Sequence, residues 1–122
     1  MEVLPLVGLR LSAYNRATMR FEIILSPEAI EDLQGLRAND KAEVRDAIEQ
    51  HLRHEPTKVS KSRIKRLRGT KRPQYRLRVG DDIRVFYDVT VNLVEVLAIV
   101  RKSEADHWLQ QFGEPDERDP TV

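Results

Sequence analysis

The hydrophobic positions of this chain fall into short, well-separated patterns. Residues 20–25 (RFEIIL) place Phe21, Ile23 and Leu25 on one side, the alternation of a strand. Ser26-Pro27-Glu28 then supplies an N-cap, a proline at the first helical position and an acid in the first turn. Ala29, Ile30, Leu33 and Leu36 form the apolar stripe of a short helix. Asn39-Asp40 reads as a break that recaps the chain. Beyond it, Val44, Ala47, Ile48, His51 and Leu52 recur at i, i+3, i+4, i+7 and i+8, and this second helix ends before Pro56. The two form a helical hairpin.

Residues 58–72 carry little apolar character, with Ile64 and Leu67 as anchors and Gly69 and Pro73 as punctuation. Residues 74–79 alternate strictly: Tyr75, Leu77 and Val79 against Gln74, Arg76 and Arg78. Gly80-Asp81 signals a turn, so a hairpin partner follows, with Ile83, Val85 and Tyr87 inward and Arg84, Phe86 and Asp88 opposite. Residues 93–100 are almost continuously apolar, as suits a central strand covered on both faces. Residues 103–106 match a capping box, and Ala105, Trp108, Leu109 and Phe112 make a last amphipathic helix that stops at Gly113.

The predicted order is β-α-α-β-β-β-α. The fold class is α+β, a small antiparallel-rich twisted sheet with an N-terminal helical hairpin on one face and a C-terminal helix. Residues 1–18 alternate weakly around Pro5 and Gly8, without a signal-peptide layout. They are expected to be an extension of a compact domain spanning 19–113. Residues 114–122, acidic with two prolines, are expected to be a flexible tail.

A length of 122 residues fits one domain. The chain has no cysteine, which excludes disulfides and thiolate metal sites, and no apolar run approaches the ~20 residues of a membrane helix. The formal net charge of +1 conceals a sharp division. Residues 1–57 carry 7 basic and 10 acidic side chains, and residues 79–122 carry 4 and 10. Residues 58–78 carry 10 basic and none acidic: Lys58, Lys61, Arg63, Lys65, Arg66, Arg68, Lys71, Arg72, Arg76 and Arg78. Such a block makes a local field that attracts phosphates whatever the chain total. Arg76 and Arg78 leave one strand on the same side, about 7 Å apart. Arg84 from the paired strand is placed with them, and Arg101 and Lys102 follow the next strand.

Chemistry beyond this is sparse. No glycine-rich phosphate loop and no metal-spaced ligand cluster is present, and His51, His54 and His107 form no constellation. His51 reads as a core-edge residue and His54 as a solvated helix end.

The run IKRLRGTKRPQYRLRVGDDIRVFYDV (64–89), followed by VEVLAIVRKSEADHWL (94–109), resembles the RelE/ParE superfamily of toxins from bacterial type II toxin–antitoxin modules. FEIILSPEAIEDLQGL (21–36) resembles that family's first strand and helix. The superfamily contains both ribonucleases and gyrase poisons. The RelE-like resemblance implies a cytoplasmic, ribosome-dependent mRNA endonuclease that needs no cofactor or metal. The 2′-hydroxyl attacks the adjacent phosphate in the ribosomal A site, and an antitoxin holds the toxin in check. It implies catalytic roles for Arg76, Arg78 and Arg84 and for a basic residue after the last strand (Lys102 or Arg101), and His107 is the nearby side chain of a type suited to acid–base work. The remaining basic block and Arg101 would hold RNA. Guanidinium groups suit the task because they bind phosphate oxygens bidentately as charge builds at phosphorus.

Two departures bear on activity. Family ribonucleases often carry Lys on the first of these strands, and Arg cannot act as a base. They also commonly carry Tyr where this chain has Asp106, which is explained as the acid of the capping box. Either His107 substitutes, or catalysis is mainly electrostatic, or activity is weak or absent. The gyrase-poison alternative, acting by binding alone, also stands at this point.

Overall fold

The computed structural model describes residues 20–117. The expectation for residues 1–18 therefore lies outside the described residues, as does the end of the tail. Strand β1 (Glu22–Leu25) leads into helices α1 (Pro27–Gln34) and α2 (Ala38–Leu52). Strands β2 (Ile64–Arg66), β3 (Thr70–Arg72), β4 (Tyr75–Val79), β5 (Ile83–Val89) and β6 (Leu93–Arg101) follow. A 3-10 turn (Lys102–Glu104), helix α3 (Ala105–Phe112) and strand β7 (Glu114–Pro115) complete the described chain.

Five strands form one sheet in the order β1-β6-β5-β4-β2, with β1 parallel to β6 and the other pairs antiparallel. The architecture is α+β, as the patterning predicts. The helical hairpin covers one face. Ala29, Val44, Ile48 and Leu52 pack there against Leu77, Val79, Val85, Tyr87, Val94, Val96 and Ile99. His51 sits half-buried at this core's rim, its pKa pushed down by burial and by the charge of Arg63. Helix α3 covers part of the other face: Phe86, Ala98 and Ala105 are buried there, with Trp108 stacked on Phe86 at 5.0 Å between ring centroids.

Local chemistry explains most element ends. Ser26 caps α1, its hydroxyl oxygen accepting from the Ala29 N–H at 3.0 Å. That hydroxyl also donates to the Leu97 carbonyl at 3.1 Å. Asn39-Asp40 does not break the chain. The break falls at 35–37, where the Gly35 N–H closes α1 onto the Glu31 carbonyl at 3.0 Å. Asp40 instead lies in the first turn of α2, where a negative charge suits the helix dipole. Ile30 belongs to the predicted stripe but is 43% exposed, because Ala29 and Leu33 already fill the inward side.

The capping box at 103–106 does not form. Ser103 lies inside the 3-10 turn, and neither that turn nor α3 has a side-chain cap. The basic stretch is more ordered than its composition suggests. Ile64 is buried, and β2 pairs with β4 in the register Ile64↔Leu77, Lys65↔Arg76, Arg66↔Tyr75. The tail does not fray immediately after Gly113. An extended Gly113 turns β7 back onto β3, and the Asp116 N–H donates to the Gly69 carbonyl at 3.0 Å.

One irregularity governs which side chains share a face. Strand β6 pairs with β5 as Glu95↔Asp88 and Val96↔Tyr87, then as Ala98↔Phe86, so Leu97 is an extra residue. A bulge of this kind inverts the alternation beyond it. Val94 and Val96 face the helices before it, and Ile99 and Arg101 face them after it. β1 has ended by this point, so β6 loses its neighbour on that edge. The Ile99 N–H is satisfied instead by the Asp32 carboxylate of α1 at 2.9 Å.

Candidate nucleic-acid interface

The part of the α3-side face that α3 leaves open is built from β2, β4 and β5. Cross-strand partners in an antiparallel sheet share a face. Lys65 stands opposite Arg76, and Arg78 opposite Arg84. The Arg78 N–H donates to the Arg63 carbonyl at 2.8 Å, extending the second row to β2. Two rows result, Lys65–Arg76–Phe86 and Arg63–Arg78–Arg84, on strands about 4.8 Å apart. Five cations thus lie within one small area, bordered by the Phe86–Trp108 stack.

Arg84 is the centre of this area. It is 7% exposed, yet it forms no ion pair among the described residues. Its Nη1 donates only to backbone carbonyls, Ile83 at 3.0 Å and Asp81 at 3.4 Å. Burial, then the neighbouring charges of Arg76 and Arg78, push its pKa down, while Asp81 and Asp82 act in the opposite sense. A guanidinium remains charged under such conditions. Arg78 is held differently: its Nε donates to the Gly80 carbonyl at 3.0 Å, and its Nη2 pairs with Asp81 Oδ1 at 2.7 Å. Arg63 Nη1 donates to the Arg78 carbonyl at 3.2 Å.

Other residues of the basic set stand elsewhere. Arg101 faces the helices because of the Leu97 bulge, and its guanidinium bonds Asp40 at 3.2 Å and Asp82 at 3.0 Å. Arg72 lies at the far end of the α3-side face, bridging Asp88 and Glu95, each at 3.2 Å. Burial raises the Asp88 pKa, opposed by the Gln74 N–H and by Arg72. Arg66 lies over the Tyr75 ring at 5.2 Å and donates to the Gln74 carbonyl at 2.8 Å. Lys58 pairs with Glu55 at 3.8 Å. Lys61 and Arg68 are exposed on the loops flanking β2, and Lys71 is exposed in β3. Lys102 is exposed in the 3-10 turn, its N–H donating to the Asp82 carbonyl at 2.6 Å. His107 is exposed on α3, off the Ala105/Trp108/Leu109 stripe that meets the sheet.

The β4–β5 turn is the part of the site that sequence reading missed. Asp81 supplies an acceptor to both Arg78 and Arg84. Its signal is modest: the first carboxylate after ten uninterrupted cations, placed in the turn between two arginine-bearing strands. Among the described residues, no His, Asp or Glu cluster is arranged to hold a metal ion, and no helix is long and apolar enough to cross a membrane.

Arranged in this way, the face can bind a phosphate or phosphodiester through several guanidinium groups at once, with Arg84 held ready and not neutralised. Known proteins provide the comparison. Residues 23–106 match the family described as ParE toxin of type II toxin-antitoxin system, parDE. No curated protein matches the chain. Solved structures with a similar fold include the RelBE2 toxin-antitoxin complex of Mycobacterium tuberculosis, at 23% identity and TM-score 0.54, covering 69% of this chain and 100% of that one. The archaeal RelE-RelB complex of Pyrococcus horikoshii OT3 is 27% identical, with TM-score 0.51 and coverage of 69% and 97%. The E. coli DinJ-YafQ toxin-antitoxin complex is 14% identical, with TM-score 0.56 and coverage of 70% and 96%. The family match runs from β1 into α3 and takes in both cationic rows, so the chain belongs to the ParE toxin family of type II toxin–antitoxin systems, within the RelE/ParE superfamily.

Proposed function

We propose that this toxin is a ribosome-dependent mRNA endonuclease whose Arg76–Arg78–Arg84 face binds the scissile phosphate. The observation that carries the reading is Arg84, a covered guanidinium with carbonyl acceptors only and two further arginines beside it. In the reaction, the 2′-hydroxyl oxygen attacks the adjacent phosphorus and the 5′-oxygen departs. The products are a 2′,3′-cyclic phosphate and a 5′-hydroxyl end. Negative charge grows on the phosphorus oxygens, and preplaced guanidinium groups stabilise it without reorganising. Arg78 and Arg84 take the phosphate oxygens. Lys65, Arg76 and Arg63 steer the strand. The exposed Lys61, Arg68 and Lys71 around β2 and β3 hold flanking RNA, and no step calls for a metal. His107 is the candidate for proton transfer, a role that imidazole side chains can take near neutral pH. The partner is a cognate antitoxin, as in the RelB-RelE complexes of similar fold, and it covers the cationic face in a cytoplasmic hetero-oligomer.

The test is primer extension on an mRNA added to a translation extract with the purified chain. Discrete cleavage that requires ribosomes and disappears in Arg84→Ala supports the reading. Intact mRNA with wild-type chain overturns it. A second reading, poisoning of DNA gyrase by binding alone, draws on the family match to ParE and on β4 carrying Arg76 and Arg78, neither of which can act as a base. It expects intact mRNA and inhibited supercoiling.

A further inference from the structure

Two bonds run from the end of β6 to the turn between β4 and β5, and a third ties Arg101 to helix α2. Arg101 Nη1 donates to Asp82 Oδ2 at 3.0 Å, and the Lys102 N–H donates to the Asp82 carbonyl at 2.6 Å. The other branch of the same guanidinium, Nη2, reaches Asp40 Oδ2 in the first turn of α2 at 3.2 Å. One planar fork therefore joins the end of β6, the start of α2 and the turn. Helix α2 approaches the turn at a second point as well: a Cβ at Gly80 would lie 3.0 Å from Glu43 Oε2.

The clamped turn supplies acceptors for the cationic face. The Gly80 carbonyl receives Arg78 Nε, Asp81 Oδ1 receives Arg78 Nη2, and the Asp81 carbonyl receives Arg84 Nη1. Asp82, the next residue, is the one Arg101 holds. A shift of the turn would move three acceptors together, and with them two of the guanidinium groups assigned to phosphate. Sites of this kind lose function when their supporting contacts slacken by a fraction of an ångström to an ångström.

We propose that Arg101 is a positioning residue: by gripping Asp82 and Asp40 from the helix side of the sheet, it fixes the turn that aims Arg78 and Arg84 at a bound phosphate. This rests on the reading of the arginine face given above. It replaces the expectation that Arg101 touches RNA, because Arg101 lies on the opposite face from Arg84.

A fluorescein-labelled single-stranded RNA oligonucleotide, titrated with the full chain at several salt concentrations, separates the alternatives. Asp82→Asn is decisive because it removes a negative charge close to the cationic rows. By charge alone it should tighten binding, whereas loosening the turn should weaken it. We expect Asp82→Asn and Arg101→Gln each to weaken binding by about threefold to tenfold, and the double variant to be no worse than either. The salt slope in Arg101→Gln should stay that of wild type, because no phosphate contact is lost. Arg101→Lys should behave like Arg101→Gln, since a point charge cannot bridge both carboxylates. Tighter binding in Asp82→Asn overturns the proposal. So does a salt slope lowered by about one in Arg101→Gln, or full binding in Arg101→Lys. Arg84→Ala tests the underlying reading. If it binds RNA as wild type does, the phosphate face itself is wrong and the positioning role falls with it. If Arg84→Ala fails to bind while Asp82→Asn and Arg101→Gln bind normally, only the positioning role is refuted.

Discussion

Arg78 and Arg84 stand directly across from one another on adjacent antiparallel strands, two like charges on one side of the sheet. Such a pair opposes folding, and neither residue is neutralised by the other's surroundings. Asp81, 95% exposed, pairs with Arg78 alone, and Arg84 receives carbonyl oxygens only. Hydrophobic packing elsewhere holds the pair in place: Phe86 and Val85 follow Arg84 into separate cores, each fully buried. A repulsive pair maintained at the expense of stability is what an anion site requires, because an incoming phosphate relieves the repulsion.

Replacement of Arg84 by methionine should therefore separate stability from function. The side chain remains long and apolar, while the charge beside Arg78 and Arg76 is gone. Thermal unfolding should show an unchanged or higher midpoint, with a gain of up to about 1 kcal/mol. RNA cleavage should fall by about a hundredfold or more, as for removal of a main charge-stabilising group. A large loss of stability would mean that the two carbonyl bonds, and not the repulsion, dominate at this site.

The basic residues should divide by location when assayed for salt dependence. Lys65 lies in the cationic row beside Arg76, whereas Arg72 is engaged with Asp88 and Glu95. Lys65→Ala should weaken oligonucleotide binding and lower the log–log salt slope by about 0.7. Arg72→Ala should leave the slope unchanged and instead cost about 1–3 kcal/mol of stability, because the buried Asp88 carboxylate loses its counter-ion. Fluorescence titration and chemical denaturation of both variants check the division.

These assignments show which parts of the site were legible in the sequence. The alternation of residues 75–79 gave Arg76 and Arg78 their common face, and the turn signal at Gly80-Asp81 placed Arg84 with them. Arg101 was not legible in the same way. Its face depends on the bulge at Leu97, which lies within an apolar run where no polar residue marks the alternation. Strand β2 was obscured because only one of its three residues, Ile64, is buried, and the rest of its order comes from backbone pairing. Asn39-Asp40 reads as a break because residues that end helices also suit a first helical turn. The Ser103–Asp106 spacing fits a capping box, yet the chain enters α3 through a 3-10 turn and leaves no N-cap for Ser103 to fill.

Tyr87 should report on the helical side of the sheet without affecting the arginine face. Its hydroxyl donates to the Pro56 carbonyl at 2.6 Å, and its ring stacks on Tyr75 at 5.4 Å. Tyr87→Phe leaves that buried carbonyl without its donor and should cost about 1–2 kcal/mol. RNA binding should be preserved. Burial, and then the proximity of Tyr75, raise the Tyr87 pKa above its ordinary value of 10.0. A pKa raised by folding means that the stabilisation is fully present below the unfolded value and is lost as pH rises above it. Wild-type stability should therefore decline from about pH 10 upward more steeply than that of Tyr87→Phe. Parallel slopes in alkaline denaturation would contradict this account.

Gly80 should be costly to replace for a reason that lies in its backbone. It has φ +59, the left-handed region that side chains disfavour. The added Cβ would also press on Glu43 Oε2 at 3.0 Å, but that atom ends a flexible side chain and can move aside. Backbone strain should dominate, so Gly80→Ala should lose about 1–2 kcal/mol, and removing the Glu43 side chain in the same molecule should restore little of it. Gly80→Asn should lose less, since Asn tolerates this conformation better. The turn that begins at Gly80 carries the acceptors for Arg78 and Arg84, so RNA affinity should fall in the same order: Gly80→Ala below Gly80→Asn, and both below wild type. Recovery of full stability in Gly80→Ala on removing the Glu43 side chain would show that the contact, and not the conformation, requires glycine here.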